Sequence, residues 1–533
     1  MSTAPQPLSP APPAAALPRH RWSWEAAAWL VAAAGVLFAL FFRLTTHPAG
    51  ASPDFVSIGF NARSLWRTGV DEYRVPHPLF FRSFGDWKNP FAVYSAAVST
   101  ALFGANLFGL RLPGLLFGIG MAALLWWCVR ELTGRAVLAR WLAVLSLLVP
   151  SAFLYVRSGN LEPTSFLFFI TLAMAGVLAY AKRPTLLRAA LAGILLGAAT
   201  YAYTAGRLLM PLAVAVATAS FLLDGATRRA VWPLPVAAAV MAVPMAVFMW
   251  RNPGALVARL DSMSVLGNGR THAEAVSLFL DNYFRHFNPD YLFRSGQRQH
   301  LHVHNFETGF LSLWMWLPLA AVVPVLWERR HEPFLRFLAV LTLLSPIPGA
   351  LTTDDVPHPN RWVFVVPLLV LLCAVSIAHW SSVTRPSRIL VATLTAACLF
   401  EGVVTLRHYF VDYPELIERD NGGGFDDGMG ATLQAAFAHR RSDLPIYLPE
   451  AFLWGDEILV GFWGDLDPGE LRAGGHRAFH IFSTERDPAV DLPPGTIWVT
   501  GDGHPPPFPA DLVASVDRHY TRGPPFWSVY RKR

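Results

Sequence analysis

Charge is scarce in this chain. Asp, Glu, Lys and Arg make up 15% of it, against 53% hydrophobic residues. A chain so poor in charge and rich in apolar residues does not fit the soluble globular class. Cysteine is scarcer still. Cys128, Cys373 and Cys398 all lie inside apolar runs with no C-x-x-C spacing, so a disulfide framework and a cysteine metal site have no basis. The phosphate-binding signatures G-x-x-x-x-G-K-S/T and G-x-G-x-x-G are missing too, which argues against nucleotide-driven transport. The net charge is +6, yet the Arg residues are scattered over many loops. No basic stripe forms, so a nucleic-acid partner is not expected.

What is present is a succession of apolar runs. A helix needs about 20 apolar residues to cross the hydrocarbon core. Runs of that kind are Ala26–Phe42, Leu112–Val129, Trp141–Tyr155, Thr164–Ala181, Ala189–Thr204, Leu208–Leu223, Val231–Trp250, Phe310–Leu326, Phe334–Leu351, Trp362–Ala378 and Ile389–Val404. They predict about eleven spans. The first has no clear small-residue cleavage site after it and is expected to be retained. With Arg19 and Arg21 in the cytoplasm, Arg130/Arg135/Arg140, Lys182/Arg183/Arg188, Arg228/Arg229, Arg329/Arg330/Arg336 and Arg385/Arg388 fall on that same side. This agreement supports both the span count and the orientation, a cytoplasmic N-terminus and an extracytoplasmic C-terminus.

Pro90–Phe103 is apolar but short, and a span there would invert every later loop. It is expected to lie in the membrane interface, as is Ile58–Trp66. Ile58, Ala62 and Leu65 share one helical stripe, with Asn61, Arg63 and Ser64 off it. The outer side then carries long loops at Arg43–Arg111 and Arg251–Gly309. From about Tyr409 onward the apolar runs shorten to strand length: Ile446–Leu448, Ala478–Phe482, Thr496–Thr500, Leu512–Val516 and Trp527–Tyr530. Helices are expected at Met429–His439 and Ala451–Phe462, with Pro- and Gly-rich turns between elements. The expected organisation is a disordered tail at 1–21, a membrane domain at 22–408 and a small α/β domain at 409–533.

The outer loops carry the chemistry-bearing residues in a distinctive order. The first loop holds Ser52-Pro53-Asp54-Phe55, then Asn61-Ala62-Arg63-Ser64-Leu65, then Phe84-Gly85-Asp86-Trp87-Lys88-Asn89-Pro90, and ends near Arg111-Leu112-Pro113. Arg157-Ser158-Gly159-Asn160-Leu161-Glu162-Pro163, Gly193–Arg207 with Tyr201 and Tyr203, His286–Phe293 and Pro357-His358-Pro359-Asn360-Arg361 follow. This ordered set resembles the family of protein O-mannosyltransferases and aminoarabinose transferases, the PMT/ArnT-like (family 39-like) branch of the GT-C superfamily. The resemblance covers the membrane portion and not the C-terminal region.

It implies a GT-C-like bundle that takes a hexose or pentose from a polyprenyl monophosphate donor and passes it, usually with inversion, to a hydroxyl acceptor. The acceptor can be protein, lipid or polysaccharide. An acidic residue just after the first span is the family's general base, and Asp54 matches it. The family often has a second acid beside it; this chain has Phe55. A sugar on a phosphate carries its own leaving group, so the acceptor needs only a base and alignment. The departing lipid phosphate needs cations. Lys88, Arg111, Arg207 and Arg361 stand at span or interfacial-helix ends on the outer side, where phosphate contact and snorkelling anchorage are both open. Arg157, Glu162 and Tyr203 are candidates for shaping the acceptor site, and Glu162 could equally pair with Arg157. His300, His302 and His304 could share one face of a strand, but no carboxylate or cysteine accompanies them, and no metal or other cofactor is expected. A transporter or flippase needs charged groups at mid-membrane, and these spans are nearly free of charge at their centres. A relative that binds lipid-linked sugar without turnover is the other alternative. The family and the Ala-, Pro- and Arg-rich composition point to a bacterial plasma (inner) membrane.

Overall fold

The computed structural model describes residues 24–413 and 428–533, apart from 49, 84, 257–262, 268, 297–307, 355, 450–456, 469–470, 472–477, 483–491, 502–504 and 517–526. The expected disordered tail and the His300, His302 and His304 run lie outside the described residues.

Helix α1 (Trp24–Phe41) enters from the N-terminus. Two helices follow that do not pass the length test for spans, α2 (Pro53–Thr68) and α3 (Pro90–Phe103). A short antiparallel hairpin, β1 (Phe81–Ser83) and β2 (Asp86–Lys88), lies between them. Then come α4 (Leu107–Thr133), α5 (Ala136–Ser146), α6 (Pro150–Ser158), α7 (Leu161–Lys182), α8 (Leu186–Ala199), α9 (Thr204–Leu222) and α10 (Pro233–Arg251). The second long loop contains α11 (His272–Arg285), opened by a capping box between Thr271 and Glu274. The bundle continues with α12 (Trp316–Ala320), α13 (Val322–Glu328), α14 (Pro333–Leu344), α15 (Ile347–Ala350), α16 (Pro359–Trp362), α17 (Val366–Thr384) and α18 (Arg388–Arg407).

Among the described residues, eight helical stretches are long and apolar enough to cross a membrane, so this is a polytopic membrane protein. The other three expected spans are present in altered form. Trp141–Tyr155 is not one straight helix, because α5 and α6 meet at 58°. Pro150 cannot continue the hydrogen-bond ladder and pushes Val149 to an extended conformation (φ −59°, ψ 123°), which breaks the helix there. The run at Ala189–Thr204 forms α8, whose 14 residues span only about 21 Å. Phe310–Leu326 becomes the short apolar stretch Leu313–Glu328, interrupted at Ala321. Pro324 accounts for that break, since its ring opposes the carbonyl four residues earlier. The Pro359–Thr384 stretch forms the middle of the bundle, 83% buried, while Arg388–Asp412 is peripheral at 11%.

The C-terminal region forms the expected α/β unit. Helix α19 (Met429–His439) and α20 (Ile458–Trp463) pack with β3 (Ile446–Pro449), β4 (Phe479–Phe482), β5 (Ile497–Gly501), β6 (Ala510–Val516) and β7 (Trp527–Lys532). The strand order is β4-β3-β5-β7-β6, with β3 parallel to β4 and β5 and the other pairs antiparallel. Alternation sends Ile446, Leu448, Ile497, Val499, Trp527 and Val529 to one face, where they share a single core with α2 and α3.

That shared core changes the status of α2. Its apolar stripe predicted a half-wet amphipathic helix, yet every residue from Phe55 to Leu65 is buried, including Asn61, Arg63 and Ser64. The C-terminal unit covers Arg63 through the end of α20, and the 70–72 segment covers Asn61 and Ser64.

Candidate active site

Helix α2 starts where its first residues require. Ser52 caps it by accepting from the Phe55 amide at 3.4 Å, Pro53 takes the position that needs no donor, and Asp54 falls in the first turn. A carboxylate there also sits at the positive end of the helix dipole. The β1–β2 hairpin brings up its partner. With Phe81 opposite Lys88 and Ser83 opposite Asp86, Asp86 and Lys88 share one face and Trp87 takes the other.

Lys88 Nζ donates to Asp54 Oδ1 at 2.5 Å and lies 4.0 Å from Asp86 Oδ2. The ammonium is buried at 2% exposure, while the Asp54 side chain keeps 34%. The cation therefore sits on the buried side of the carboxylate, which stays partly exposed. Burial alone lowers the Lys88 pKa, but Asp54, Glu162, Asp86 and the hydrogen bond to Asp54 outweigh it and hold the group above its ordinary value.

Asn89, next in sequence, ties three elements together. Its backbone amide and its side-chain Nδ2 donate to Glu162 Oε1 at 2.7 and 2.5 Å, and its Oδ1 accepts from Arg207 Nη2 at 2.9 Å. Glu162 is in the first turn of α7 and Arg207 in the first turn of α9. Arg207 also donates to the Trp87 carbonyl at 3.3 Å and the Leu256 carbonyl at 3.4 Å, and its guanidinium lies over the Phe80 ring. Tyr203 occupies the cap position of α9, with its ring 6.3 Å from that of Phe166.

Asp54, Lys88, Glu162 and Arg207 are thus gathered around the 86–89 segment. The remaining cations are committed elsewhere. Arg111 donates to the Leu44 and Gly50 carbonyls at 2.6 and 2.5 Å. Arg157 donates to the carbonyls of Ala39, Leu40, Phe42 and His47, so the expected alternative of a pair with Glu162 gives way to capping the end of α1. Four carbonyls at a helix end lack intrahelical donors, and a guanidinium fork supplies them. Arg361 forms a two-point pair with Asp354 at 2.6 and 2.9 Å and donates to Thr352 Oγ1 at 2.5 Å.

Two residues to which the sequence reading gave no role matter here. Asn89 has a signature, since Asn before Pro marks a helix start. In the structure its side chain makes no capping bond and serves Glu162 and Arg207 instead. Phe55, in place of the resembling family's second acid, packs its ring on Gly159, where a Cβ would come within 2.5 Å of Cζ. Gly159 also has φ 83°, so its position needs glycine twice over. Among the described residues no group of three or more metal-ligating side chains comes together.

No family model matches the chain, and no curated protein matches it. Solved structures do. The chain is similar to ArnT from Cupriavidus metallidurans bound to undecaprenyl phosphate, with a TM-score of 0.59 and 16% identity over 95% of this chain and 98% of that one. Its apo state gives 0.56 over the same shares. The archaeal oligosaccharyltransferase AglB from Archaeoglobus fulgidus, in complex with an inhibitory peptide and a dolichol-phosphate, gives 0.51 at 12% identity, covering 86% of this chain and 64% of that one. The chain shares the fold of these proteins.

Proposed function

We propose that the chain is an integral-membrane glycosyltransferase that moves a sugar from a polyprenyl-monophosphate donor to a hydroxyl acceptor at the outer face of the membrane. The observation that carries this reading is the Asp54 carboxylate at the head of α2, one-third exposed and paired with the buried Lys88 ammonium. It stands in a fold shared with ArnT, which was solved with undecaprenyl phosphate bound.

Asp54 takes the proton of the acceptor hydroxyl as its oxygen attacks the anomeric carbon. The bond from that carbon to the phosphate oxygen breaks, and its electron pair leaves on the polyprenyl phosphate. Displacement from the opposite face inverts the anomeric centre. Lys88 and Arg207 meet the charge that develops on the phosphate. Arg361 is a third contact, for which its pair with Asp354 would open. Glu162 and Tyr203 shape the acceptor side. Arg111 and Arg157 hold polypeptide carbonyls and support the site from behind. The basic residues of the alternate loops support a cytoplasmic N-terminus and a site on the outer face.

The test is polyprenyl-phosphate release from purified protein given a panel of polyprenyl-phosphate sugars and crude acceptor. Asp54→Asn is expected to lower release about 10²- to 10⁴-fold while donor binding survives. Donor binding without release in either protein contradicts the reading and favours a flippase or a binding protein, which lipid movement across vesicles would then reveal.

A further inference from the structure

We propose that Arg63 is a positioning residue for Asp54, and that the C-terminal sheet unit is thereby part of the catalytic framework. This rests on the reading of Asp54 as the base.

Asp54 and Arg63 are nine positions apart on α2, which is about 14 Å along the axis and about half a turn around it. The two side chains therefore leave opposite faces. Asp54 meets Lys88, and Arg63 meets the end of α20. The Arg63 side chain is 2% exposed. Its Nη1 donates to the Phe462 carbonyl at 2.7 Å and to Asp465 Oδ1 at 2.9 Å; its Nη2 donates to the carbonyls of Gly461 and Leu466 at 2.9 and 2.8 Å. All four acceptors belong to the turn that closes α20, the negative end of that helix. Arg67, one turn further along α2, donates to both oxygens of Asp465 at 2.8 and 3.3 Å. Asp465 itself holds a positive φ of 57°, a left-handed conformation that aspartate adopts more readily than most residues.

There is no slack between α2 and its neighbours. A Cβ on Gly59 would meet Leu110 of α4 at 2.9 Å and Phe462 of α20 at 3.0 Å. A helix wedged between bundle and sheet unit moves as a rod. Releasing Arg63 therefore shifts or loosens the first turn, where Asp54 must stay aligned with donor and acceptor. An error of about 1 Å there costs rate rather than donor affinity.

The experiment uses the full chain in nanodiscs with Arg63→Ala, Arg63→Lys, Asp465→Asn, and Arg63→Ala combined with Asp54→Asn. Turnover and donor KM are read from polyprenyl-phosphate release, and backbone order from amide hydrogen exchange. Arg63→Ala is expected to lower kcat about tenfold or more with donor KM within about twofold, and to add nothing in the Asp54→Asn background. Asp465→Asn, which keeps the carbonyl contacts, and Arg63→Lys give smaller losses, and they carry the test if Arg63→Ala does not fold. Exchange is expected to rise along α2 as far as residues 55–58. Unchanged kcat, a loss that multiplies with Asp54→Asn, or exchange that rises only around 458–466 overturns the proposal. If the unmodified protein releases no polyprenyl phosphate, the glycosyltransferase reading has failed, and the exchange measurement alone decides whether Arg63 orders the head of α2.

Discussion

Phe55 stands one position after Asp54, where the resembling family often carries a second acid. The substitution Phe55→Asp would restore that pattern in sequence and damage the protein in fact. The Phe55 ring is 1% exposed and is what Gly159 packs against. A carboxylate in the space that the ring now fills is desolvated, so burial of its charge opposes folding by about 3–5 kcal/mol. The expected outcome is a lower melting temperature and no gain in sugar transfer, measured by thermal unfolding in nanodiscs beside donor turnover. Gly159→Ala is expected to cost about 2–4 kcal/mol, because it combines a positive φ with a clash against the same ring. At this scale the sequence singled out Asp54 through the family resemblance, and Lys88, Glu162 and Arg207 as ionisable groups at helix ends, and the structure brings the four to one segment. Their partners were not legible there. A guanidinium at a span end suits a phosphate and a row of helix-end carbonyls equally well, and only the tertiary arrangement gives Arg111 and Arg157 to the carbonyls.

Helix α3 shows what an element boundary can and cannot reveal. Asn89-Pro90 and Gly104 delimit it in the sequence as they do in the structure. Yet Asn89 sits at the cap position with its side chain turned away, toward Glu162 and Arg207. Replacing it therefore should not cost the helix its cap. Asn89→Ala is expected to destabilise by about 1–3 kcal/mol through the partners left unsatisfied. Asn89→Asp should be worse than Asn89→Ala, since it sets a second carboxylate against Glu162. Thermal unfolding and donor turnover of the two variants decide this, and equal behaviour would mean that the Asn89 amide does not bridge α7 and α9. The strands of the C-terminal unit were legible because alternation and turn residues are local signals. The α5–α6 break was overlooked because hydropathy sums over a window and does not register Pro150. The burial of α2 was hidden for a different reason: the sheet of the unit that packs on it begins more than 380 residues downstream of Ser64.

Across the whole molecule, the span order was legible from hydropathy and loop charge, whereas the contacts that close the bundle join residues far apart in the chain. Two buried histidines mark such closures. His47, after α1, donates from Nε2 to the Tyr409 carbonyl at 2.6 Å, at the far end of the last helical stretch. His286, after α11, donates from Nδ1 to the Asn282 carbonyl at 2.8 Å, and its ring stands edge-on to Trp362 at 5.0 Å. Burial lowers the pKa of each to about 4; for His47 the hydrogen bond to Tyr409 opposes this and Arg157, Arg43 and Arg111 reinforce it. Both rings are therefore neutral in the folded protein. Below pH 6.5 the unfolded chain gains protons there that the folded one refuses. Stability from this source is complete above pH 6.5, declines as the pH falls toward 4, and levels off below that. The loss is about 3 kcal/mol for each histidine. Carboxylates titrating in the same range add their own slope, so the informative comparison is with His47→Gln, which keeps a donor for the Tyr409 carbonyl and removes the proton site. Melting temperature measured from pH 7 to pH 4 should fall less steeply in that variant than in the unmodified protein. Parallel curves would mean that His47 gains its proton as readily in the fold as in the unfolded chain, so that neither its burial nor the field of Arg157, Arg43 and Arg111 holds it neutral.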